Sequence, residues 1–332
     1  IEVVGNDIPR IDYTDDVNGV LLLEPQRTNY LLQSNLFSSG WVITGTGSSV
    51  GNSVSGAFSN LDGTSITLAS GGLLYSETTT PISSGVMSIY MRVSSGAVDV
   101  QLGDPIGSPY EIKTLTTTWQ RFSTVDTGSL GGLAIYNSQS GTTITIEVSA
   151  AQLEQGSYPT SYIPTNGSII QRAAETCNES GNSEVFNDSQ GVLFADLNYE
   201  NIQSDWTGFG LTDGNNPSNR IVFATQLNTK NFKIYLQSGG TVVWNPNVVL
   251  NQINQYQKIA VKYKANDVSL WLNGFEVVSD NTVSIMPTGL DRLGFFGYAN
   301  LEPTYGKTKE IGYYDEILTD EELEYMTSYR SL

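Results

Sequence analysis

The stretch 258-KIAVKYKANDVSLWLNGFEVVS-279 decides the fold class. Ile259, Val261 and Tyr263 alternate with Lys258, Lys262 and Lys264. Alternation with period two sends successive side chains to opposite faces of an extended strand. Ala265-Asn266-Asp267 interrupts the run, Val268-Ser269-Leu270-Trp271-Leu272 resumes it, and Asn273-Gly274 closes it. An Asn-Gly pair adopts positive φ cheaply, which a two-residue turn between antiparallel strands requires. Two hairpins in immediate succession leave no length for a helix, so the segment reads as antiparallel sheet.

The same pattern extends outward in both directions. Strand-length runs split by Gly, Ser and Asn fall at 65–70, 73–79, 86–93, 98–102, 110–114, 119–125, 132–137 and 142–152. A second series falls at 191–198, 207–211, 220–225, 232–237, 241–244, 257–264, 268–272, 275–279, 292–298 and 309–314. Only 15% of the residues are charged, while Gly (33) and Tyr (18) are abundant. Such a composition suits short strands with polar turns and is poor in long-helix formers. At 332 residues two ordinary cores are expected. The fold class is all-β, with two antiparallel β-sandwich (jelly-roll) domains, an N-terminal hairpin connector and a short C-terminal helix.

The boundaries follow from changes of texture. Residues 1–33 hold two apolar runs, 8–13 and 20–24, joined by Thr14-Asp15-Asp16-Val17-Asn18-Gly19, and read as the hairpin connector. Residues 34–165 form the first sandwich. Residues 166–190 are rich in Asn, Ser, Gly and acids, contain a helix-compatible piece at 168–176, and read as a linker. Residues 191–332 form the second sandwich, closed by a helix that Thr319 caps, with Glu322 completing a capping box and Leu323 and Met326 on its apolar side. The start at Ile1, without Met and inside a strand-like run, is expected of a piece of a longer chain.

Charge and missing residue types exclude several functions. Residues 1–165 carry 5 Lys+Arg against 14 Asp+Glu, and the rest carry 11 against 20, so each half bears −9 of the total −18. Nucleic acid and anionic lipid need a basic footprint, so neither nucleic-acid binding nor membrane insertion is expected. The chain has no histidine and a single cysteine, Cys177. Imidazole-based triads, imidazole-bearing zinc sites and an intrachain disulfide are thereby ruled out.

Three patterns in the first half carry a resemblance. Ile8-Pro9-Arg10-Ile11-Asp12-Tyr13 is followed by Leu21-Leu22-Leu23-Glu24-Pro25-Gln26-Arg27-Thr28-Asn29-Tyr30-Leu31-Leu32; the segment from Ser34 ends in Trp41; and Ala151-Gln152-Leu153-Glu154-Gln155-Gly156-Ser157-Tyr158-Pro159-Thr160-Ser161-Tyr162-Ile163-Pro164-Thr165 closes the domain. Together they resemble bacteriophage fibre and spike subunits with a carbohydrate-binding-module-like jelly roll. The second half, through 259–263, 268–274 and Ile311-Gly312-Tyr313-Tyr314-Asp315-Glu316-Ile317-Leu318-Thr319, is similar to the concanavalin A-like, laminin-G-type sandwich. The resemblance implies a protein of the virion surface, extracellular and oligomeric (a trimer). Its implied partners are host-surface glycan, its own copies, and other virion proteins through its N-terminal side. No Glu-x-Asp-x-x-Glu strand is present, which argues against glycosidase chemistry. A purely architectural virion part and, less favoured, a polysaccharide depolymerase stand as alternatives.

Sugar recognition combines aromatic faces with planar amides and carboxylates on loops of a rigid scaffold. Trp206 with Asp213, Asn215 and Asn216, Trp244 with Asn247, and Tyr298 with Tyr305 have that chemistry. The plainer reading makes Trp206 and Trp244 edge-of-core residues and the Asn and Gly positions ordinary turns. In the first domain Tyr75, Tyr90, Tyr110 and Tyr136 are candidate outward platforms, but alternation alone does not say which face meets solvent. Trp41, Trp119 and Trp271 read as core. No catalytic residue and no required cofactor is expected. Asp12, Asp15 and Asp16 offer oxygen ligands of the kind Ca²⁺ takes, but at a spacing that matches no EF-hand loop, so a plain solvated turn is the favoured reading and Ca²⁺ the lesser one.

Overall fold

The computed structural model describes residues 8–14, 16–58, 62–107, 110–198, 207–214, 218–225, 231–250, 255–296 and 304–329. They fall into two compact units, one being Gln26–Ala173 and the other residues 8–25 with 174–329. Each unit is an antiparallel β-sandwich, as the period-two runs predict.

In the first unit one five-stranded sheet has the order Glu111–Leu115, Val98–Gly103, Leu130–Tyr136, Leu73–Ile82, Val42–Thr44. The other has the order Gln120–Asp126, Gly85–Arg92, Ile144–Glu154, Gly63–Leu68, Ser49–Val54. Met87, Ile89 and Met91 point into the core with Leu74, Val100, Leu102 and Leu133, all fully buried. Each such side chain contributes about 1.5–3 kcal/mol by leaving water. Trp41 packs on the edge of this core and donates its Nε1–H to the Gln33 carbonyl at 2.9 Å. Trp119 departs from expectation: it lies half-buried outside the core, with the Arg92 guanidinium 4.8 Å from its ring.

The chain enters and leaves this unit through one buried polar clasp. The Asn29 amide donates to the carbonyls of Ala151 (3.2 Å) and Ile163 (2.9 Å) and accepts from the N–H groups of Leu31 (3.2 Å) and Leu153 (3.1 Å). Gln152 Oε1 accepts from Ile163 N–H at 2.6 Å. Glu154, fully buried, accepts from Gln152 Nε2 (2.8 Å), Thr160 N–H (2.7 Å) and Thr160 Oγ1 (2.6 Å), with Arg27 Nε 3.7 Å away. Ser34 Oγ pairs with the Tyr162 hydroxyl and accepts from Thr165 N–H at 2.8 Å. A buried carboxylate is tolerated only when its oxygens are saturated in this way.

In the second unit a seven-stranded sheet has the order Ile11–Asp12, Val20–Leu23, Gly306–Tyr314, Gln190–Asn198, Gln257–Lys264, Val268–Leu272, Phe275–Asp280. The opposite sheet has the order Thr241–Trp244, Asn231–Ser238, Arg220–Thr225, Thr207–Thr212, Arg292–Gly294, with Asn247–Val249 pairing on Asn231–Ser238. Gln190–Asn198 is buried on both faces: Leu193, Ala195 and Leu197 enter the main core, while Val192 and Phe194 lie with Trp271 and Ala260 under Leu323 of the helix Asp320–Thr327. The capping box at Thr319 and Glu322 forms as the sequence requires. Asn273 (φ 51°) and Gly274 (φ 90°) make the left-handed turn read from the sequence.

Two expected boundaries are corrected. The N-terminal hairpin is no separate connector: Val20–Leu23 pairs with Gly306–Tyr314, in register Leu21 with Thr308, and so extends the second unit's sheet. Arg10 fixes it, donating to Glu24 Oε2 and Glu175 Oε2, each at 2.6 Å. The stretch read as linker is structured as well. Its helix-compatible piece instead holds the strand Ile170–Arg172, which pairs with Arg27–Asn29 because extended residues there find an open partner.

Replacing Asn29 by Ala should strip four groups of their partners and destabilise the first unit by about 3 kcal/mol or more, since each buried orphan costs about 1–3 kcal/mol. Urea unfolding of the full chain, with Thr28→Ala as comparison, measures this; equal midpoints for the two variants would contradict it.

Candidate glycan-binding face

The outer face of the sheet containing Leu130–Tyr136 collects the first unit's aromatic and amide groups. Register sets which residues share that face, because directly paired residues project to the same side. Tyr136 pairs with Gln101, which pairs with Ile112; Tyr75 pairs with Ala134, which pairs with Gly103. Their chain neighbours Leu74, Leu133, Ile135 and Leu102 occupy the core, so these two rows point away from it. Gly103 and Ala134 carry little side chain, which leaves the half-buried rings of Tyr75 and Tyr136 standing over a low row. Tyr110 joins them with its ring centroid 6.0 Å from that of Tyr136.

Polar groups border these rings. Asp99 lies two residues before Gln101 and on the same face; it accepts from Thr114 Oγ1 at 2.6 Å. Gln139 Nε2 donates to the Asp99 carbonyl at 3.0 Å, fixing the rim. Burial, with the nearby charge of Asp104 and the neighbouring Tyr136, pushes the Tyr110 phenol up, so it stays a protonated donor at neutral pH. Tyrosine faces beside an amide, a carboxylate and hydroxyl groups can hold C–H faces and hydroxyls of a saccharide together.

The other sequence candidates separate. Tyr90 faces out from the opposite sheet, but Phe58 covers it edge-on at 5.0 Å and itself stacks on Tyr162 of the clasp at 5.6 Å. Trp244 is a correction: at 6% exposure it belongs to the second core, so its ring offers no stacking face. Asn247 is exposed at the start of an edge strand. Asp213 Oδ2 accepts from Asn219 N–H (3.1 Å) and Nδ2 (2.8 Å), closing a turn. Tyr305 is half-buried next to Thr304, whose hydroxyl accepts from Gly208 N–H at 2.7 Å. Trp206, Asn215, Asn216 and Tyr298 lie outside the described residues. Asp99 and Gln101 went unnoticed in the sequence, since only cross-strand register puts them beside the tyrosines.

Two carboxylates of the acidic hairpin loop pair with lysines. Asp12 Oδ2 lies 3.0 Å from Lys307 Nζ, and Asp16 Oδ2 lies 3.2 Å from Lys309 Nζ. The lysines supply the positive charge that calcium would have brought, and Asp15 is outside the described residues. Among the described residues no three acidic or cysteine side chains gather closely enough to hold a metal ion.

No family model matches this sequence, and no curated protein matches it. Among solved structures, the family-40 carbohydrate-binding module of Ruminococcus gnavus IT-sialidase, bound to α2,3-sialyllactose, is similar over 46% of this chain and 97% of its own, at 15% identity and a TM-score of 0.38. Laminin-G domains 4 and 5 of the mouse laminin alpha1 chain are similar over 94% of this chain and 93% of theirs, at 8% identity and a TM-score of 0.31. Bacillus licheniformis β-glucanase covers 89% of this chain and 99% of its own, at 10% identity and a TM-score of 0.25. At such values none of them assigns a ligand or an activity here.

The Asp12 pair has a pH signature. Burial acts to raise the Asp12 carboxyl, but hydrogen bonds from Thr14 and Lys307 more than offset it, so its pKa lies below the ordinary 3.8. A carboxyl depressed in the folded state stabilises above its unfolded pKa, and that contribution is lost as pH falls through the folded value. Asp12→Asn should therefore cost about 1 kcal/mol or less after solvent screening at pH 7, and the difference should vanish as the pH is taken below 3.8. Thermal melts at both pH values measure this, and added Ca²⁺ should shift neither melt.

Proposed function

We propose that this protein is a non-catalytic glycan-binding component of a virion surface, a phage fibre or spike subunit working as an oligomer. The observation that carries the binding reading is the outward tyrosine face, where Tyr75, Tyr110 and Tyr136 stand beside Gln101 and Asp99. Half-exposed aromatic rings on a rigid sheet present a stacking surface with little entropy to lose on binding. The phage reading rests on the resemblance of residues 1–175 to fibre and spike subunits. In an oligomer such as a trimer, weak single sites gain strength through repeated engagement, and virion partners would be reached through the N-terminal side. Trp206, with Asn215, Asn216, Tyr298 and Tyr305, is a second candidate group in the second unit.

One observation favours an enzymatic alternative. Asp196 and Glu310 are cross-strand partners, and burial pushes the Asp196 carboxyl up while Lys258 and Lys309 act the other way. A raised carboxyl near a second carboxylate has the elements of an acid–base pair. Asp196 is only 5% exposed, however, and the Tyr329 hydroxyl donates to it at 3.4 Å.

A glycan array probed with the full chain tests the binding reading, with light scattering to establish its mass. Tyr136→Ala should lower binding about tenfold, equivalent to about 1.4 kcal/mol, with Trp206→Ala as the arm for the second group. Undiminished binding by Tyr136→Ala would remove the tyrosine face from the account. Reducing-end release from the bound polysaccharide, abolished by Asp196→Asn, would replace binding with catalysis; none is expected.

A further inference from the structure

The second unit carries a groove that none of these assignments uses. It has a volume of about 470 Å³, within the range of small-ligand sites, about 300–1,000 Å³. One wall is the hairpin at the edge of the seven-stranded sheet and the other is the edge strand Asn247–Val249 of the opposite sheet. Phe275 projects from the hairpin at 72% exposure, facing Val249 at 66% and beside Val277 at 38%. Gln255, Gln257 and Asn273 supply amides to the same groove.

An exposed phenylalanine is ordinary on a mobile loop, but the turn that carries this one is anchored. Gly274 N–H donates to Thr327 Oγ1 at 3.1 Å, and a Cβ on Gly274 would meet Ser328 Oγ at 2.6 Å, so the turn is seated on the end of the helix. Asn273 N–H donates to the Lys258 carbonyl at 2.9 Å, and its side-chain oxygen accepts from Lys258 N–H at 3.0 Å. Asn273 Nδ2 also donates to Gln257 Oε1 at 2.7 Å, which orients both amides and leaves the second Nδ2 hydrogen for a ligand. An aromatic residue carried on an anchored turn, with oriented amides beside it in the same groove, has less backbone freedom to lose, and pre-organisation lowers the entropy lost on binding.

We propose that this groove is a second saccharide site, for a neutral oligosaccharide whose pyranose C–H face lies on Phe275 and whose hydroxyls meet the amides. Neutrality follows from the lining, which contains no ionisable side chain, and from a chain of net charge −18 that repels acidic sugars. The alternative occupant of the open edge at Phe275–Asp280 is a further strand. A register shift at Leu270–Trp271 distorts that edge, however, and Glu276 and Asp280 place negative charge along it. Bulges and edge charges both oppose strand pairing. The site is independent of the jelly-roll face.

The test uses the full chain carrying Tyr136→Ala, which weakens the first face, titrated calorimetrically with cellohexaose, maltohexaose and mannohexaose. Sialyllactose serves as the acidic comparison. At least one neutral hexaose should bind, sialyllactose should not, and adding Phe275→Ala should weaken binding tenfold or more while the melting temperature holds. Phe275→Tyr, which keeps the flat ring, should retain binding. No binding of any of the three hexaoses, or binding indifferent to Phe275→Ala, would overturn the proposal. So would a Phe275→Ala chain that keeps its sugar affinity but loses mass in light scattering, which would reassign the groove to contact between copies. Loss of array binding in Tyr136→Ala alone bears only on the first face, so the two readings fail separately.

Discussion

The jelly roll depends on the four hydrogen bonds of the Asn29 amide. Its two donors and two acceptors tie the segment before the first sheet to the segment after the last strand, across more than a hundred residues. Ala150 takes a positive φ of 53° where the strand Ile144–Glu154 shifts register, and its N–H is met by Asn35 Oδ1 at 2.8 Å. The irregular backbone therefore keeps its partner through the same entering segment. A side-chain amide is the smallest group that can serve both ends of such a junction, and a shift of one residue would leave buried groups unpaired.

That constraint gives the resembling motifs a physical meaning. The pattern around Arg27-Thr28-Asn29-Tyr30 and the one from Ala151 to Thr165 are far apart in sequence and meet in the clasp. Glu154, Thr160 and Arg27 form its charged portion, and Gln152, Ile163, Ser34 and Tyr162 its neutral portion. These residues close the unit rather than recognise a ligand, so the motif that carries the resemblance and the surface that carries the binding reading are different parts of the same sandwich.

Legibility in the sequence follows the range of the interactions. The Asn273-Gly274 turn, the Thr319 capping box and the alternation of Met87, Ile89 and Met91 are local, and each was readable from a few neighbouring residues. The destination of the N-terminal hairpin was not, because nothing between Ile8 and Glu24 announces that Leu21 pairs with Thr308. The strand Ile170–Arg172 was hidden for the same reason, its partner lying at Arg27–Asn29. Trp119 was read as core and lies outside it, while Trp244 was open to both readings and lies in the core: strand-like surroundings do not tell an inward ring from an outward one until the second sheet is in place. Asp12 and Asp16 looked like metal ligands only while Lys307 and Lys309 were out of view.

The distribution of positive charge narrows the chemistry of any ligand of the first unit. Its five cations are committed internally: Arg27 beside Glu154, Arg92 to Glu147 at 2.5 Å, Lys113 to Glu111 at 2.7 Å, Arg121 to the Thr160 carbonyl at 2.6 Å and Ser88 Oγ at 2.9 Å, and Arg172 to the Ser161 carbonyl at 3.2 Å. An acidic saccharide approaching Tyr75 and Tyr136 would have to take a cation from one of these contacts and leave its partner, a carboxylate or a carbonyl, unpaired. Such an exchange gains little, because the new pair replaces an existing one at the cost of desolvating the ligand. Stacking on a tyrosine carries no such cost for an uncharged ring, and amides such as Gln101 donate and accept without net charge. On the proposed reading, a surface built from tyrosine, glutamine and a hydrogen-bonded aspartate would therefore favour hydroxyl-rich neutral partners.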